Sequence, residues 1–457
     1  MANNKSILHK DGVSYVLPFI LITSCFALWG FANDITNPMV KAFSKIFRMS
    51  VTDGALVQVA FYGGYFAMAF PAAIFIRKFS YKAGILMGLG LYAIGAFLFF
   101  PAKEIGEYYG FLLAYFILTC GLSFLETSAN PYILSMGTEE TATRRLNLAQ
   151  SFNPMGSLLG MFVAMNFIQA KLNPLDSNAR ALLDTNEFNA LKEADLTVLI
   201  TPYLIIAAVI AVMFLVIRFV KMPRNGDQSH DINFIPTLKR IWGIRRYREG
   251  VIAQFFYVGA QIMCWTFIIQ YGTHYFMLEG MDERSAEVLS QQYNIFAMIF
   301  FCCSRFICTF FLRYINAGRL LKILAVCAGL LTIGVILFQN RYGIYCLVGV
   351  SGSIFLQNIF GLYCLVAVSA CMSLMFPTIY GIALEGLGDD AKFGAAGLIM
   401  AILGGSVLPP LQASIIDMGR VGSFPAVNLS FVLPLICFVV VALYGHRTYK
   451  ASRIQRR

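Results

Sequence analysis

The chain repeats, from one end to the other, apolar segments about as long as a lipid hydrocarbon core is thick. A core of roughly 30 Å takes about 20 residues of helix to cross. Such segments fall near 15–38, 55–76, 83–101, 109–133, 147–169, 198–219, 250–273, 289–312, 320–338, 359–384, 394–416 and 425–445. Backbone facing lipid has to satisfy its own N–H and C=O groups, so each segment reads as a helix. The expected fold class is an all-α membrane protein of twelve transmembrane helices. A composition 58% hydrophobic and 13% charged over 457 residues excludes an ordinary soluble domain. The first apolar run is too long for a signal-peptide core and lacks a small-residue cleavage site, so no cleavable signal is expected.

The net charge of +11 invites a nucleic-acid reading, and its distribution argues against one. Lys and Arg gather in alternate loops: Lys5 and Lys10; Arg77, Lys78 and Lys82; Arg144 and Arg145; Arg218 through Arg248; Arg313, Arg319 and Lys322; Arg447 through Arg457. The loops between are mixed or acidic, with Glu104 and Glu107, then Asp176, Asp184, Glu187 and Asp195, then Glu279, Asp282, Glu283 and Glu287. This is the positive-inside alternation, and it predicts cytoplasmic termini at both ends. The lipid bilayer, not nucleic acid, is the expected partner. The 11 cysteines lie in apolar segments without CxxC pairs, as small reduced hydrophobes do, so neither a metal site nor a cofactor is expected.

The one long polar interior stretch, VKMPRNGDQSHDINFIPTLKRIWGIRRYR, follows the sixth span and has the Pro, Gly and charge of a linker. It divides the chain into an N-terminal six-helix bundle (1–220), a cytoplasmic linker (221–248) and a C-terminal six-helix bundle (249–457). The halves echo each other: RKFSYKAG follows span two where RYINAG follows span eight, and spans four and ten carry Pro131 and Pro377. Two pseudo-symmetric bundles sharing a site are a common plan for secondary transporters. FQNRYGIYCLVGVSG (338–352) and LQNIFGLYCLVAVSA (356–370) are near copies. Their offset of about 18 residues is five helical turns, so helix phase is kept. A thirteenth crossing would put the basic tail outside against the charge rule. The extra copy is therefore expected to lie at the interface, re-enter, or lengthen a helix.

Two carboxylates interrupt this apolar pattern, Asp34 in FALWGFANDITNPM and Glu126 in LTCGLSFLETSANPYIL. An ionised carboxylate at bilayer depth costs several kcal/mol and persists where it faces water, pairs or titrates, which makes both candidates for proton coupling. The bland alternative is an acid snorkelling at a helix end. Polar residues also align by helical angle. Asn33 and Asn37 share a face of span one with Asp34, and Asn130 lies one turn from Glu126. On span five, Asn147, Gln150, Pro154 and Ser157 fall within about 80° of arc and Asn153 about 40° beyond. On span seven, Gln254, Tyr257, Gln261 and Trp265 also fall within about 80°. Any one of these reads most simply as an interhelical hydrogen bond. Four polar stripes together suit a neutral polyol: amides for hydroxyls, aromatic faces for an apolar ring. Arg305 reads as a structural pairing or a snorkelling side chain, and His274 as an interfacial one.

The segments FALWGFAND, AFYGGYF, IRKFSYKAGI, LETSANPYI, RLNLAQSFN, AQFFYVGAQ followed by CW, and FPTIY resemble the bacterial L-fucose/proton symporters of the major facilitator superfamily. The resemblance covers nearly the whole chain. It implies the major facilitator fold, a central sugar cavity open alternately to each side, and sugar import driven by protons in a bacterial inner membrane. It also implies carboxylates in spans one and four that link proton and sugar. Glu126 matches the span-four carboxylate. The family's span-one acid falls at Asn37 here, with Asp34 one turn away on the same face. Sugar and protons are the expected partners and a monomer the expected working unit. Rival readings are a glucose/galactose permease of the same family and a drug/proton antiporter. No nucleophile–base pair, metal cluster or phosphate loop points to an enzyme, and no loop is large enough for a sensor's output domain.

Overall fold

The computed structural model describes residues 8–455 apart from 11–12, 37–38, 50–55, 170, 174, 176–179, 181, 223–233, 339–358 and 423. In chain order the helices are α1 (Val16–Thr36), α2 (Met39–Ile46), α3 (Leu56–Lys78), α4 (Tyr81–Phe97), α5 (Phe99–Ile105), α6 (Tyr108–Ser135), α7 (Glu139–Gln150) and α8 (Phe152–Val163). A π-helical turn (Ala164–Gln169) follows, then α9 (Thr185–Phe219), α10 (Phe234–Gly243), α11 (Arg245–Leu278), α12 (Glu283–Phe311) and α13 (Ala317–Leu337). The last are α14 (Phe360–Met372), α15 (Met375–Leu384), α16 (Ala391–Met400), α17 (Gly404–Ile416), α18 (Ala426–Leu429) and α19 (Val432–Gln455). Two-residue antiparallel ladders pair His9–Lys10 with Val13–Ser14 and Arg420–Val421 with Phe424–Pro425.

Among the described residues, 10 helical stretches are long and apolar enough to cross a bilayer, and Val16–Ala32 is a shorter apolar helix. The remaining segment, span five at 147–169, is not one helix. It is divided by a turn at Ser151 and continues through the π-helical turn. The cause is Pro154, which has no N–H for the carbonyl four residues back and so frees the end of α7. Pro377 does the same between α14 and α15. The first copy of the 338–370 near-repeat lies outside the described residues beyond Phe338, and the second forms α14 from Phe360 onwards.

The chain packs as two compact units. The first comprises Met1–Arg145, Phe152–Arg240 and Gly386–Met400, and the second Leu146–Ser151, Ile241–Glu385 and Ala401–Arg457. In the first, α3, α4 and α16 pack on α6, and α1 packs on α8. Small residues set these approaches, as they do where helices meet in lipid. A Cβ on Gly121 would stand 2.4 Å from the Tyr92 nitrogen, and one on Gly156 would stand 1.8 Å from the Ala27 carbonyl oxygen. In the second unit α11 is central and touches α12, α15, α17 and α19, while α13 packs on α14 and α19. Its core includes Tyr257, Met263, Phe267, Tyr271, Phe301 and Phe431. Side-chain caps stop the helices at polar turns: Ser80 accepts from the Ala83 N–H at 3.0 Å and Asp282 from the Ser285 N–H at 3.0 Å, each cap worth about 1 kcal/mol.

Candidate functional site

The first unit gathers the acids around α3. Glu126, on α6, is 2% exposed, and Asp34, on α1, is 7% exposed. Gly64 brings α3 against α6, for a Cβ there would meet the Thr119 hydroxyl oxygen at 2.1 Å and the Phe116 carbonyl oxygen at 2.8 Å. The Ser123 hydroxyl then donates to the Tyr65 carbonyl at 3.1 Å. Ser123 and Glu126 are three residues apart and share a face of α6, so this bond sets Tyr65 beside the acid. The Tyr65 hydroxyl donates to the Glu126 carboxyl and accepts from the Trp29 indole N–H. No cation is among the groups acting on Glu126, and its Oε2 has no hydrogen-bond partner among the described residues. Tyr62, one turn before Tyr65, lies within the electrostatic reach of Asp34.

The other residues predicted for this unit are placed as follows. Asn130 is fully buried on α6, one turn from Glu126. Asn153 is half-buried on α8, and its Nδ2 donates to the Phe26 carbonyl at 3.3 Å. Asn33 lies on α1 beside Asp34. Asn37 is outside the described residues.

The second unit gathers amides, aromatics and one cation. The Asn147 Nδ2 donates to the Thr378 hydroxyl at 3.2 Å. Arg305, 3% exposed, donates from Nη1 to the Gln150 carbonyl at 2.9 Å and from Nε to the Ser373 carbonyl at 2.5 Å. These carbonyls precede Pro154 and Pro377 by four residues, so they are the two oxygens that proline deprives of a helical partner. A planar guanidinium fork suits two such acceptors. Its carbon sits 4.6 Å from the centroid of Phe301. Phe301 in turn meets Trp265 edge-on at 4.9 Å. The Trp265 Nε1 donates to the Ser369 hydroxyl at 3.2 Å, and the Tyr257 hydroxyl to the Met372 carbonyl at 3.0 Å. Gln254 is fully buried, and both its Nε2 and Oε1 have no partner among the described residues. Gln261 is half-buried on the same helix.

A cavity of ≈ 960 Å³ opens among α1, α8 and α9, lined by Phe19, Phe31, Met155, Leu159, Ile205 and Met213 among others. Its wall is apolar and includes none of the predicted site residues, so it suits hydrocarbon and not a sugar.

The model of the Major Facilitator Superfamily matches residues 22–363. The chain belongs to that superfamily. It is similar, at 49% identity over 98% of this chain and 99% of the relative, to the L-fucose-proton symporter of Haemophilus influenzae. It is 34% identical over 94% of its length, and 93% of the relative's, to the L-fucose-proton symporter of Escherichia coli. The glucose/galactose transporter of Brucella abortus is 30% identical over 96% of each chain. Among solved structures, FucP in the outward conformation superimposes with a TM-score of 0.81 at 32% identity, covering 95% of this chain and 99% of that one. The chain therefore has the major facilitator fold of twelve membrane helices, and as a superfamily member it is a membrane transporter and not an enzyme.

Trp29, Tyr62, Tyr65, Phe301 and Ser369 stand beside the candidate residues Glu126, Asp34 and Trp265 and are absent from the candidates drawn from the sequence. Trp29, Tyr62 and Tyr65 stand in the quoted segments FALWGFAND and AFYGGYF. The available signal was two tyrosines three apart around a Gly-Gly pair in a span otherwise apolar.

Proposed function

We propose that this chain is an L-fucose/proton symporter in which Glu126 carries the coupled proton. The observation that carries this reading is Glu126 itself: a buried carboxyl on a membrane helix, hydrogen-bonded by a tyrosine, with no cation among the described residues acting on it. As an anion in that place it would cost several kcal/mol. As a neutral acid it becomes a hydrogen-bond donor. A carrier facing outward takes a proton on Glu126, the neutral carboxyl then donates to a sugar hydroxyl, and the loaded carrier rocks inward. Sugar leaves, and the proton passes to the more alkaline cytoplasm. The choice of L-fucose is supported by similarity at 49% and 34% identity to two L-fucose-proton symporters.

Asp34 serves as the second acid of the pair. Asn33, Asn37, Asn130, Asn147, Gln150, Asn153, Gln254, Tyr257, Gln261 and Trp265 form the sugar site, with amides for hydroxyls and the Trp265 face for the ring. The moving parts are the bundles 1–220 and 249–457 joined by the linker 221–248, with both termini cytoplasmic by the charge rule, working as a monomer in the bacterial inner membrane.

Labelled L-fucose uptake in vesicles, with and without a protonophore, tests the assignment. Glu126→Gln should abolish proton-driven accumulation while sugar counterflow partly persists. Sugar-induced alkalinisation of the medium at wild-type level in that variant would sink it. Competition by unlabelled L-fucose, galactose and glucose separates this reading from a glucose/galactose permease, which the 30% identity to the Brucella abortus protein keeps in play.

A further inference from the structure

We infer that Tyr65 is a positioning residue for the coupled proton, holding the Glu126 carboxyl by one oxygen so that the other, Oε2, is the atom that takes the proton and meets the sugar. The inference rests on the reading of Glu126 as the proton carrier. A tyrosine hydroxyl has one proton to give and lone pairs to receive. In this unit the Trp29 indole N–H occupies a lone pair of Tyr65, which directs the single O–H at Glu126. The tyrosine cannot turn away without breaking that arrangement, because its helix is held against α6 at two points. Gly64 allows α3 to touch α6, and the Ser123 hydroxyl is bonded to the Tyr65 carbonyl at 3.1 Å. Tyr65 is 4% exposed and Trp29 8%, so water does not compete for either group. The titratable groups acting on Tyr65 are Glu126 and Tyr62, and Tyr62 is in turn exposed to the charge of Asp34. Glu126 Oε2 is left without a partner among the described residues.

This arrangement fixes the direction of the proton. The oxygen bound by Tyr65 already accepts a hydrogen bond, so protonation falls on Oε2, whose O–H then points away from Tyr65. A sugar hydroxyl can accept from it, and on release the proton leaves from the same atom. Tyr65 neither gains nor loses a proton over the cycle. Its work is to select one carboxyl oxygen and one rotamer, the pre-orientation on which effective proton transfer depends.

The test is Tyr65→Phe, which keeps the ring and removes the hydroxyl, measured in vesicles beside wild type. Loss of a donor to the carboxylate favours the neutral acid, so the pH profile of sugar-driven proton uptake should move toward alkaline pH by about one unit. Proton-driven accumulation should fall about tenfold, while L-fucose counterflow, which needs no net proton release, stays within about twofold. Trp29→Phe, which removes the indole N–H together with part of the ring, should move the profile in the same direction by less, and stands in if the tyrosine variant does not fold. An unmoved profile in both variants overturns the inference. So does a loss of counterflow equal to the loss of accumulation in stably folded protein, since Tyr65 would then be contacting the sugar itself. If wild type showed no sugar-driven proton uptake at all, the symport reading would fall first and take this inference with it.

Discussion

The two units hold polar groups of opposite kind at membrane depth. In the first, beside the buried cations Arg77, Arg145, Arg180 and Lys392, two acids, Asp34 and Glu126, are buried on apolar helices, and Glu126 is met by a hydroxyl. In the second the buried charge is a cation, Arg305, and its partners are backbone carbonyls freed by proline. Glu126 can lose its charge by taking a proton. Arg305 cannot, since a guanidinium stays protonated in proteins. One unit is therefore equipped to change its charge during turnover and the other to keep it.

Variants of the fixed-charge side should hurt stability, and variants of the open amide should hurt binding alone. The largest effect is expected from Arg305→Met, which leaves the Gln150 and Ser373 carbonyls buried without partners. At about 1–3 kcal/mol for each orphaned group, thermal unfolding in detergent should show a loss of about 2–6 kcal/mol. Arg305→Lys should recover only part of it, because an ammonium lacks the fork. An unchanged melting temperature in Arg305→Met would remove the contrast between the units. A middle effect is expected from Gln254→Leu. Both amide atoms lack partners among the described residues, so stability should hold or rise, while sugar affinity falls about tenfold for a lost hydrogen bond. Thermal unfolding reads the first quantity and calorimetric titration with L-fucose the second, and a large destabilisation would mean that Gln254 is structural. Trp265→Phe should be mildest, weakening sugar binding by about 0.5–1.5 kcal/mol through loss of ring area and of the Ser369 bond. Wild-type affinity there would take Trp265 out of the site.

Much of this was legible in the sequence because lipid leaves few options. Apolar length located the spans, and an acid inside one of them, such as Glu126, stands out against that background. What stayed hidden depended on contacts between helices distant in the chain. Tyr65 in AFYGGYF looks like apolar filling until α6 is beside it, and its importance follows from Gly64 and Ser123 together. The angular reading of span five assumed one continuous helix from 147 to 169. The turn at Ser151 breaks that phase, so Asn147 reaches Thr378 while Asn153 reaches Phe26. Pro154 announced the break in the sequence. Its second effect, an open carbonyl at Gln150, had meaning only once Arg305 was placed beside it. Reading Arg305 as a structural pairing was sound in kind, although its partners are main-chain oxygens that no side-chain pattern could display.

The pairing of Arg305 with prolyl-freed carbonyls also bears on the electrical character of transport. Dipoles, and not a titratable acid, balance this guanidinium, so its full positive charge stays in place at every stage of the cycle. Carrying one elementary charge through the membrane potential is worth about 2.3 kcal/mol per 100 mV. With the arginine constant, the proposed protonation of Glu126 leaves its carboxyl neutral in the loaded carrier, so on that reading a membrane potential that is negative inside acts on the return of the empty, ionised carrier and not on the loaded inward step.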